Sequence, residues 1–220
     1  MLAIIIPTLN SEDVLPGLLA QIADQVDRIV VADGGSDDRT LETAIRHDAV
    51  IAMGAAGRGG QLMRGAIWAE NAQWLLFLHA DSSLPSDWKY IVDRHCANYP
   101  ERAGYFDLRF NSASWKARIV EAIVRLRCWA WGLPYGDQGL LISAQFYTDM
   151  GGFSDIPLFE DVDLIDRLGK RRIRRLGAKI ETSADKYERD GFFRRGWRNL
   201  RRLRKYRKGV NPAELSRGYS

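Results

Sequence analysis

The feature that most constrains this chain is the way short apolar runs alternate with helical periods. Residues 3–8, 28–32, 50–53 and 74–79 are runs of four to six mostly apolar residues. Each is too short for a helix, and Ile, Val and Leu dominate them, as in strands buried on both faces. Between the first two, Val14, Leu15, Leu18, Leu19, Ile22 and Val26 recur at the helical period. Residues 61–71 repeat that behaviour between the third run and the fourth. Strand and helix in turn predict an α/β chain with an open, mostly parallel sheet flanked by helices.

Local signals sharpen the boundaries. Asn10, with Asp13 three residues on, is the expected cap of the first helix. Ser36 is the expected cap of the second, with Asp37 and Asp38 in its first turn. Residues 54–60 form a glycine-rich loop. After residue 80 the alternation loosens. Helices are expected over 86–98, 115–131 and 158–168, and strands over 103–110, 139–143 and 179–183. A very basic helix is expected over 192–208.

Composition excludes several classes. Of the 220 residues, 46% are hydrophobic and 27% charged, near the average for globular domains and far from disordered or fibrous chains. The run Leu75-Leu76-Phe77-Leu78 falls well short of the roughly 20 residues a membrane helix needs. Met1 leads straight into an apolar strand pattern, unlike a secretory leader. Cys96 and Cys128 have no metal-site spacing and read as buried thiols of a reducing compartment. A cytoplasmic protein is therefore expected.

Charge is polarised along the chain. Residues 1–163 hold 13 Lys/Arg against 22 Asp/Glu, whereas residues 164–220 hold 19 against 6. The basic C-terminal helical tail therefore predicts an anionic partner: a phosphate-bearing substrate, a membrane or nucleic acid.

Ligands of open parallel sheets bind at the carboxyl ends of the strands. Thr8 and Asn10 follow the first run, Asp33 ends the second, Arg58 follows the third, and His79 and Asp81 end the fourth. The turn after the first run, Pro7-Thr8-Leu9-Asn10, lacks a dinucleotide fingerprint, and the chain has no Walker loop. Gly57-Arg58-Gly59-Gly60 before a helix offers backbone amides and a guanidinium to a diphosphate. Asp81, with His79 beside it, offers hard ligation to Mg2+ or Mn2+. Asp137 and Gln138 form a polar insertion suited to lining a cleft. Glu160 and Asp161 open a helix, where a carboxylate stays ionised and suits a general base.

In order, IIIPTLN (4–10), VVADGGSDDRT (30–40), GRGGQLMRGA (57–66), LLFLHADSSLP (75–85), GDQGLLIS (136–143) and GGFSDIPLFEDVDL (151–164) resemble the family-2 glycosyltransferases of the GT-A fold. The likeness runs to about residue 170. It is closest to a small bacterial branch that carries His-Ala-Asp where most relatives carry Asp-x-Asp, and the segments 186–200 and 209–215 also resemble that branch.

The resemblance implies a nucleotide-sugar donor, a hydroxyl acceptor and inversion by direct displacement. Thr8, Asn10 and Asp33 would hold the nucleobase and ribose, with Arg58 near the base or diphosphate. Asp81, with His79 as a second candidate ligand, would bind a divalent metal, Mg or Mn. The departure from Asp-x-Asp at His79 weakens that site. Asp137 and Gln138 would face the sugar or acceptor, and Asp161, beside Glu160, would be the base.

The expected organisation is one GT-A-like domain. Residues 1–113 would be its nucleotide-sugar-binding half, 114–190 its acceptor and catalytic half, and 191–220 its basic helical tail. Phe192, Phe193 and Trp197, aided by Trp129, Trp131 and Leu133, would set the tail on the inner face of an anionic membrane, near a lipid-linked acceptor. The alternative is that these aromatics pack as core. Two rival readings are a nucleotidyltransferase with a similar nucleotide-binding sheet and a basic nucleic-acid-binding module.

Overall fold

The structure is a computed structural model that describes residues 1–216. Its strands are β1 (Leu2–Thr8), β2 (Arg28–Asp33), β3 (Val50–Ile51), β4 (Trp74–Phe77), β5 (Ala103–Asn111), β6 (Leu140–Ser143) and β7 (Ile173–Ser183). Its helices are α1 (Leu15–Ile22), α2 (Thr40–Arg46), α3 (Arg58–Trp68), α4 (Trp88–Asn98), α5 (Trp115–Trp131), α6 (Ala144–Asp149), α7 (Glu160–Leu168), α8 (Asp185–Asp190), α9 (Phe192–Arg207) and α10 (Pro212–Ser216).

All seven strands join one sheet in the order β3-β2-β1-β4-β6-β5-β7. β1 runs parallel to β2 and β4, and β2 parallel to β3. β6 runs antiparallel to both β4 and β5, while β5 is parallel to β7. The sheet is thus mostly parallel, as expected, with β6 the one reversed strand.

The apolar runs are continuous because both faces of the sheet are covered. Ile5, Val30, Leu75, Phe77 and Ile142 point into one core with Leu62 of α3 and Val162 and Ile165 of α7. Ile4, Ile6, Ile29, Leu76 and Leu141 point into the other, with Leu15, Leu18, Leu19 and Ile22 of α1 and Trp88 and Val92 of α4. Gly65 of α3 lets the helix lie directly on Ile5, since any Cβ there would collide with its side chain.

α5 occupies the residues its periodicity predicts because both ends are marked. The Ser114 hydroxyl accepts from the Lys116 N–H at 3.3 Å, and Gly132 takes the left-handed C-terminal conformation at φ 61°. Ala117, Val120, Val124 and Cys128 seat α5 against Tyr105, Leu108 and Phe110 of β5, joined by Phe192 of α9. Cys128 is buried and Cys96 half-buried, and both are free. Burial pushes the Cys96 thiol up to about 12.

Several boundaries differ from expectation. Asn10 does not cap α1, which starts at Leu15 after a turn; its backbone sits at φ 49°. Ser36 does not cap α2, which begins four residues later at Thr40. Both side chains are taken by loop contacts described below. α3 starts at Arg58 rather than residue 61, so Arg58 stands on a helix. β7 is longer than expected because its first half is an edge strand masked by arginines. Arg175 forks onto Asp107 at 2.6–2.8 Å, and the Arg174 guanidinium lies 4.0 Å from the Tyr99 ring centre. Charged edge strands of this kind resist pairing with other chains.

Candidate active site

The carboxyl ends of β1 and β4 open into a cleft of about 580 Å³. One wall is cross-braced. The Thr8 hydroxyl donates to Asp33 Oδ1 at 2.9 Å, and the Ser36 hydroxyl donates to the same oxygen at 2.6 Å. Asp33 Oδ2 accepts the N–H groups of Gly35 and Ser36 at 2.7 and 2.8 Å. Burial opposes the charge on Asp33, yet the donors from Ser36, Gly35 and Thr8 prevail and hold its carboxyl below the usual range. Asn10 Oδ1 accepts from the Asp37 N–H at 3.0 Å, and the Asn10 N–H donates to Ser36 Oγ at 2.9 Å.

Thr8 and Asn10 line the cleft; fully buried Asp33 lies behind them and shapes the loop. Gln61 completes the brace, donating from Nε2 to the carbonyls of Thr8 and Ala32 at 2.7 and 2.9 Å. Sequence reasoning missed Gln61. Its only sequence signal is a polar residue on the inner face of a helix.

The floor gathers residues from four separate segments. The Arg58 guanidinium lies 3.2 Å from His79 Nε2. A guanidinium can only donate, so this contact makes Nε2 the acceptor and the ring neutral. Burial, then Arg58 and Lys186, push His79 well below its ordinary pKa. In this geometry the Nε2 lone pair faces Arg58. Asp81 accepts from the Thr182 hydroxyl at 3.2 Å.

Phe159 holds φ 67°, unusual for a bulky residue, and its ring stacks on Tyr206 at 5.0 Å. That turn starts α7 with Glu160 and Asp161 at the cleft. Asp161 Oδ2 accepts the Gly136 N–H at 2.6 Å, and Oδ1 accepts the Val162 N–H at 2.7 Å. Glu160 is only 2% exposed, with Oε1 3.3 Å from Arg58 Nε. Burial outweighs that ion pair and, helped by Asp161, raises Glu160 to about 7.

Asp137 stands beside them and is raised to about 6, mainly by burial; its Oδ1 is buried without a hydrogen-bond partner. Gln138 is not a lining residue. Its Nε2 donates to the Phe106 carbonyl at 3.0 Å, and its Oε1 accepts from Arg127 Nη2 at 3.2 Å and from the Tyr135 N–H at 3.3 Å.

The glycine loop also differs from a phosphate cradle. A Cβ on Gly60 would lie 2.7 Å from Asp155 Oδ1, and one on Gly59 would strike the Ser154 carbonyl. These glycines admit the 154–156 segment against the start of α3, leaving Arg58 as the part of the motif that reaches the cleft.

The opposite wall comes from β7, α8 and α9: Thr182, Ser183, Asp185, Lys186, Tyr187, Arg195 and Asn199. None was singled out from sequence, though Phe192, Arg195, Asn199, Leu203 and Tyr206 recur at the helical period and mark the inner face of α9. Arg195 Nη1 donates to Asp190 Oδ2 at 2.7 Å, and Arg198 reaches the same oxygen at 2.6 Å. Asn199 Oδ1 is buried without a hydrogen-bond partner. Lys186 has no ion-pair partner among the described residues.

Five carboxylates line the cleft, on Asp81, Asp137, Glu160, Asp161 and Asp185, against three cations, on Arg58, Lys186 and Arg195. Two of those cations are paired with acids. A diphosphate alone would be repelled, and a divalent cation would offset that repulsion. The donor set suits one: Asp81 supplies hard oxygen, and Asp137 Oδ1 is a buried oxygen without a partner. Among the described residues no three His, Cys, Asp or Glu converge to hold a metal by themselves. Substrate oxygens would have to complete its shell.

Comparison with known proteins agrees with this arrangement. Residues 3–111 match glycosyl transferase family 2. The PGL/p-HBAD biosynthesis glycosyltransferases of Mycobacterium bovis and Mycobacterium tuberculosis are 40% identical over 100 residues, covering 38% of this chain and 36% of theirs. The match thus spans about a third of those relatives' length.

The fold is similar to that of S. aureus TarS 1-349, with TM-score 0.63 and 17% identity, over 85% of this chain and 62% of that one. It is also similar to glucosyl-3-phosphoglycerate synthase from Mycobacterium tuberculosis in complex with Mn2+ and uridine-diphosphate-glucose. That likeness has TM-score 0.56 and 20% identity, over 83% of this chain and 69% of that one. The architecture is therefore that of the GT-A glycosyltransferases. The part of the chain that matches glycosyl transferase family 2, residues 3–111, builds β1 to β5 and one wall of the cleft.

Proposed function

We propose that this protein transfers a sugar from a nucleotide-sugar to an acceptor hydroxyl, with inversion at the anomeric carbon. The observation that carries the reading is the convergence of Asp81, Asp137 and Asp161 on one cleft at the carboxyl edge of a family-2 sheet. The solved neighbour with Mn2+ and uridine-diphosphate-glucose supports the choice of donor class and metal. Residues 1–113 form the donor half in this reading, and 114–190 the catalytic and acceptor half. The family match is to glycosyl transferases, which favours this over the nucleotidyltransferase alternative.

Each residue has a distinct task. Thr8 and Asn10 bind the nucleoside, on a loop that Asp33 and Gln61 keep rigid. Arg58, oriented between His79 and Glu160, faces the diphosphate, and Lys186 adds a second cation to it. Asp81 and Asp137 would hold Mg2+ or Mn2+, which when bound neutralises charge developing on the leaving diphosphate. Asp161 takes the proton of the acceptor hydroxyl as its oxygen bonds to the anomeric carbon. The bond to the diphosphate breaks on the opposite side, and its electron pair leaves with the phosphate. The Gly136 N–H fixes the Asp161 carboxylate for that transfer.

Calorimetric titration with UDP and GDP, with and without Mn2+, tests the donor assignment. One nucleotide should bind, more tightly with metal, and Asp81→Ala should abolish the metal's effect. Lys186→Ala should weaken diphosphate binding about tenfold while sparing the nucleoside. No heat with either nucleotide under any condition would refute the reading.

A further inference from the structure

α5 and α9 carry apolar residues on faces that no described residue covers. α5 is apolar on two sides. Its inner stripe, Ala117, Val120, Val124 and Cys128, packs on β5. Its outer stripe, Trp115, Ile119, Ile123, Leu126 and Trp129, repeats at three- and four-residue steps and faces solvent, with Trp129 74% and Leu126 56% exposed. α9 repeats the pattern. Phe193, Trp197 and Leu200 are exposed at the same spacing, on the side away from the cleft-facing Arg195 and Asn199. The two stripes meet, for the rings of Trp115 and Phe193 are 6.3 Å apart. An amphipathic surface helix should present polar side chains outward. Two adjacent helices that do the opposite mark a docking surface.

The expected membrane face is thereby redrawn. Phe192 and Leu133 are core, not surface, while α5 contributes more than the tail does.

We infer that the joined outer faces of α5 and α9 seat on an anionic lipid bilayer. The flanking charge selects this occupant. Lys116 and Arg125 border the α5 stripe, and Arg194, Arg201, Arg204 and Lys205 border or extend that of α9; all are exposed. Lys116 and Lys170 reach the rings of Trp115 and Trp129 at 6.0 and 5.9 Å. Aromatic residues ringed by long cations suit the headgroup boundary, with rings at the acyl edge and cations on phosphates. A second copy of this chain would instead bring like cations together across a two-fold axis. No helix among the described residues is long and apolar enough to cross a membrane, so the contact is peripheral.

Because α9 has the bilayer on one side and the cleft on the other, an acceptor held at the membrane surface would enter along this wall. That last step rests on the transferase reading; the docking itself does not.

Cosedimentation of the full chain with vesicles of phosphatidylcholine alone, or mixed with phosphatidylglycerol, tests the inference. The protein should pellet with the mixed vesicles at low salt and remain largely in solution with the neutral ones. Ile123→Glu combined with Trp197→Glu should lower the bound fraction about tenfold or more. Both positions are exposed, so a thermal melt of the variant that matches wild type verifies that it is folded, whether or not the protein binds a nucleotide. Arg201→Glu with Arg204→Glu should remove the preference for the anionic lipid. Binding to neither vesicle, or equal binding to both, would overturn the inference. So would a dimer in light scattering that the Ile123→Glu/Trp197→Glu variant dissociates, since a second copy would then own the face.

Discussion

The two walls of the cleft are built on opposite plans. The wall from β1, β2 and α3 is rigid because backbone and short side chains close on one another. Asp33 accepts four hydrogen bonds, and Gln61 ties two strand ends. The wall from α8 and α9 is held by long side chains around Asp190, whose carboxyl Arg198, Arg189 and Arg195 bring down to about 2. It also has cleft-facing groups, Asn199 Oδ1 and the Lys186 ammonium, that have no hydrogen-bond or ion-pair partner among the described residues. The first wall is finished before any ligand arrives, whereas the second has binding capacity to spare. A site that recognises a common nucleotide on one side and a particular acceptor on the other would be divided in this way.

Three substitutions would break or sharpen that contrast. The largest effect should come from the floor that both walls share. Asp161→Asn should lower kcat by about 10²–10⁴ while leaving nucleotide affinity within about twofold, because the lost group acts on the acceptor's proton. Single-turnover rates beside calorimetry would separate the two quantities.

Next is the rigid wall. Asp33→Ala strands the donors of Thr8, Ser36 and Gly35, and should cost about 2–4 kcal/mol in urea unfolding along with nucleotide affinity. A loss confined to affinity would mean that Asp33 touches the ligand rather than the loop.

The smallest effect is set by pH. Glu160 carries a raised pKa, so the folded state holds its proton where the unfolded state has lost it. Its charge therefore costs stability above about pH 7, and that cost fades as pH falls toward the ordinary glutamate range. Asp137 acts in the same direction with a value of about 6. Asp33, with a lowered pKa, acts the opposite way and contributes stability that is lost only in acid. Glu160→Gln should thus be more stable than wild type at pH 8, by about 1–3 kcal/mol, with the gap closing by pH 5. Paired melts at the two pH values read it directly.

The rigid wall was also the legible one. Buried parallel strands must be apolar on both faces, so β1, β2 and β4 stood out as runs, and polar residues at their ends pointed to the cleft. Thr8, Asn10, Arg58, His79, Asp81, Asp137, Glu160 and Asp161 do converge there. Asp33 and Gln138 do not, because a polar residue at a strand end serves the loop as readily as a ligand. Only their hydrogen-bond partners in the folded chain tell the two apart. The misplaced caps share that cause, for Asn10 and Ser36 bond each other's loop across 26 residues rather than a helix end.

The second wall was visible as a basic helix, not as a wall of the cleft. Which side of α9 meets the cleft depends on packing against β5 and α5, and charge counts carry no such information. Of the outer face of α5, only Trp129 was singled out from sequence. Apolar residues on both sides of a helix read from sequence as a fully buried one.

The most direct measurement is nucleoside diphosphate release from a panel of nucleotide-sugars with Mn2+, followed by NMR of the anomeric proton in the product. The account predicts that one donor is consumed, that the product has the opposite anomeric configuration, and that Asp161→Asn is nearly silent while still binding nucleotide. Retention of configuration, or turnover undiminished in Asp161→Asn, would contradict the role given to that carboxylate. No consumption of any donor, together with no nucleotide binding, would contradict the transferase reading as a whole.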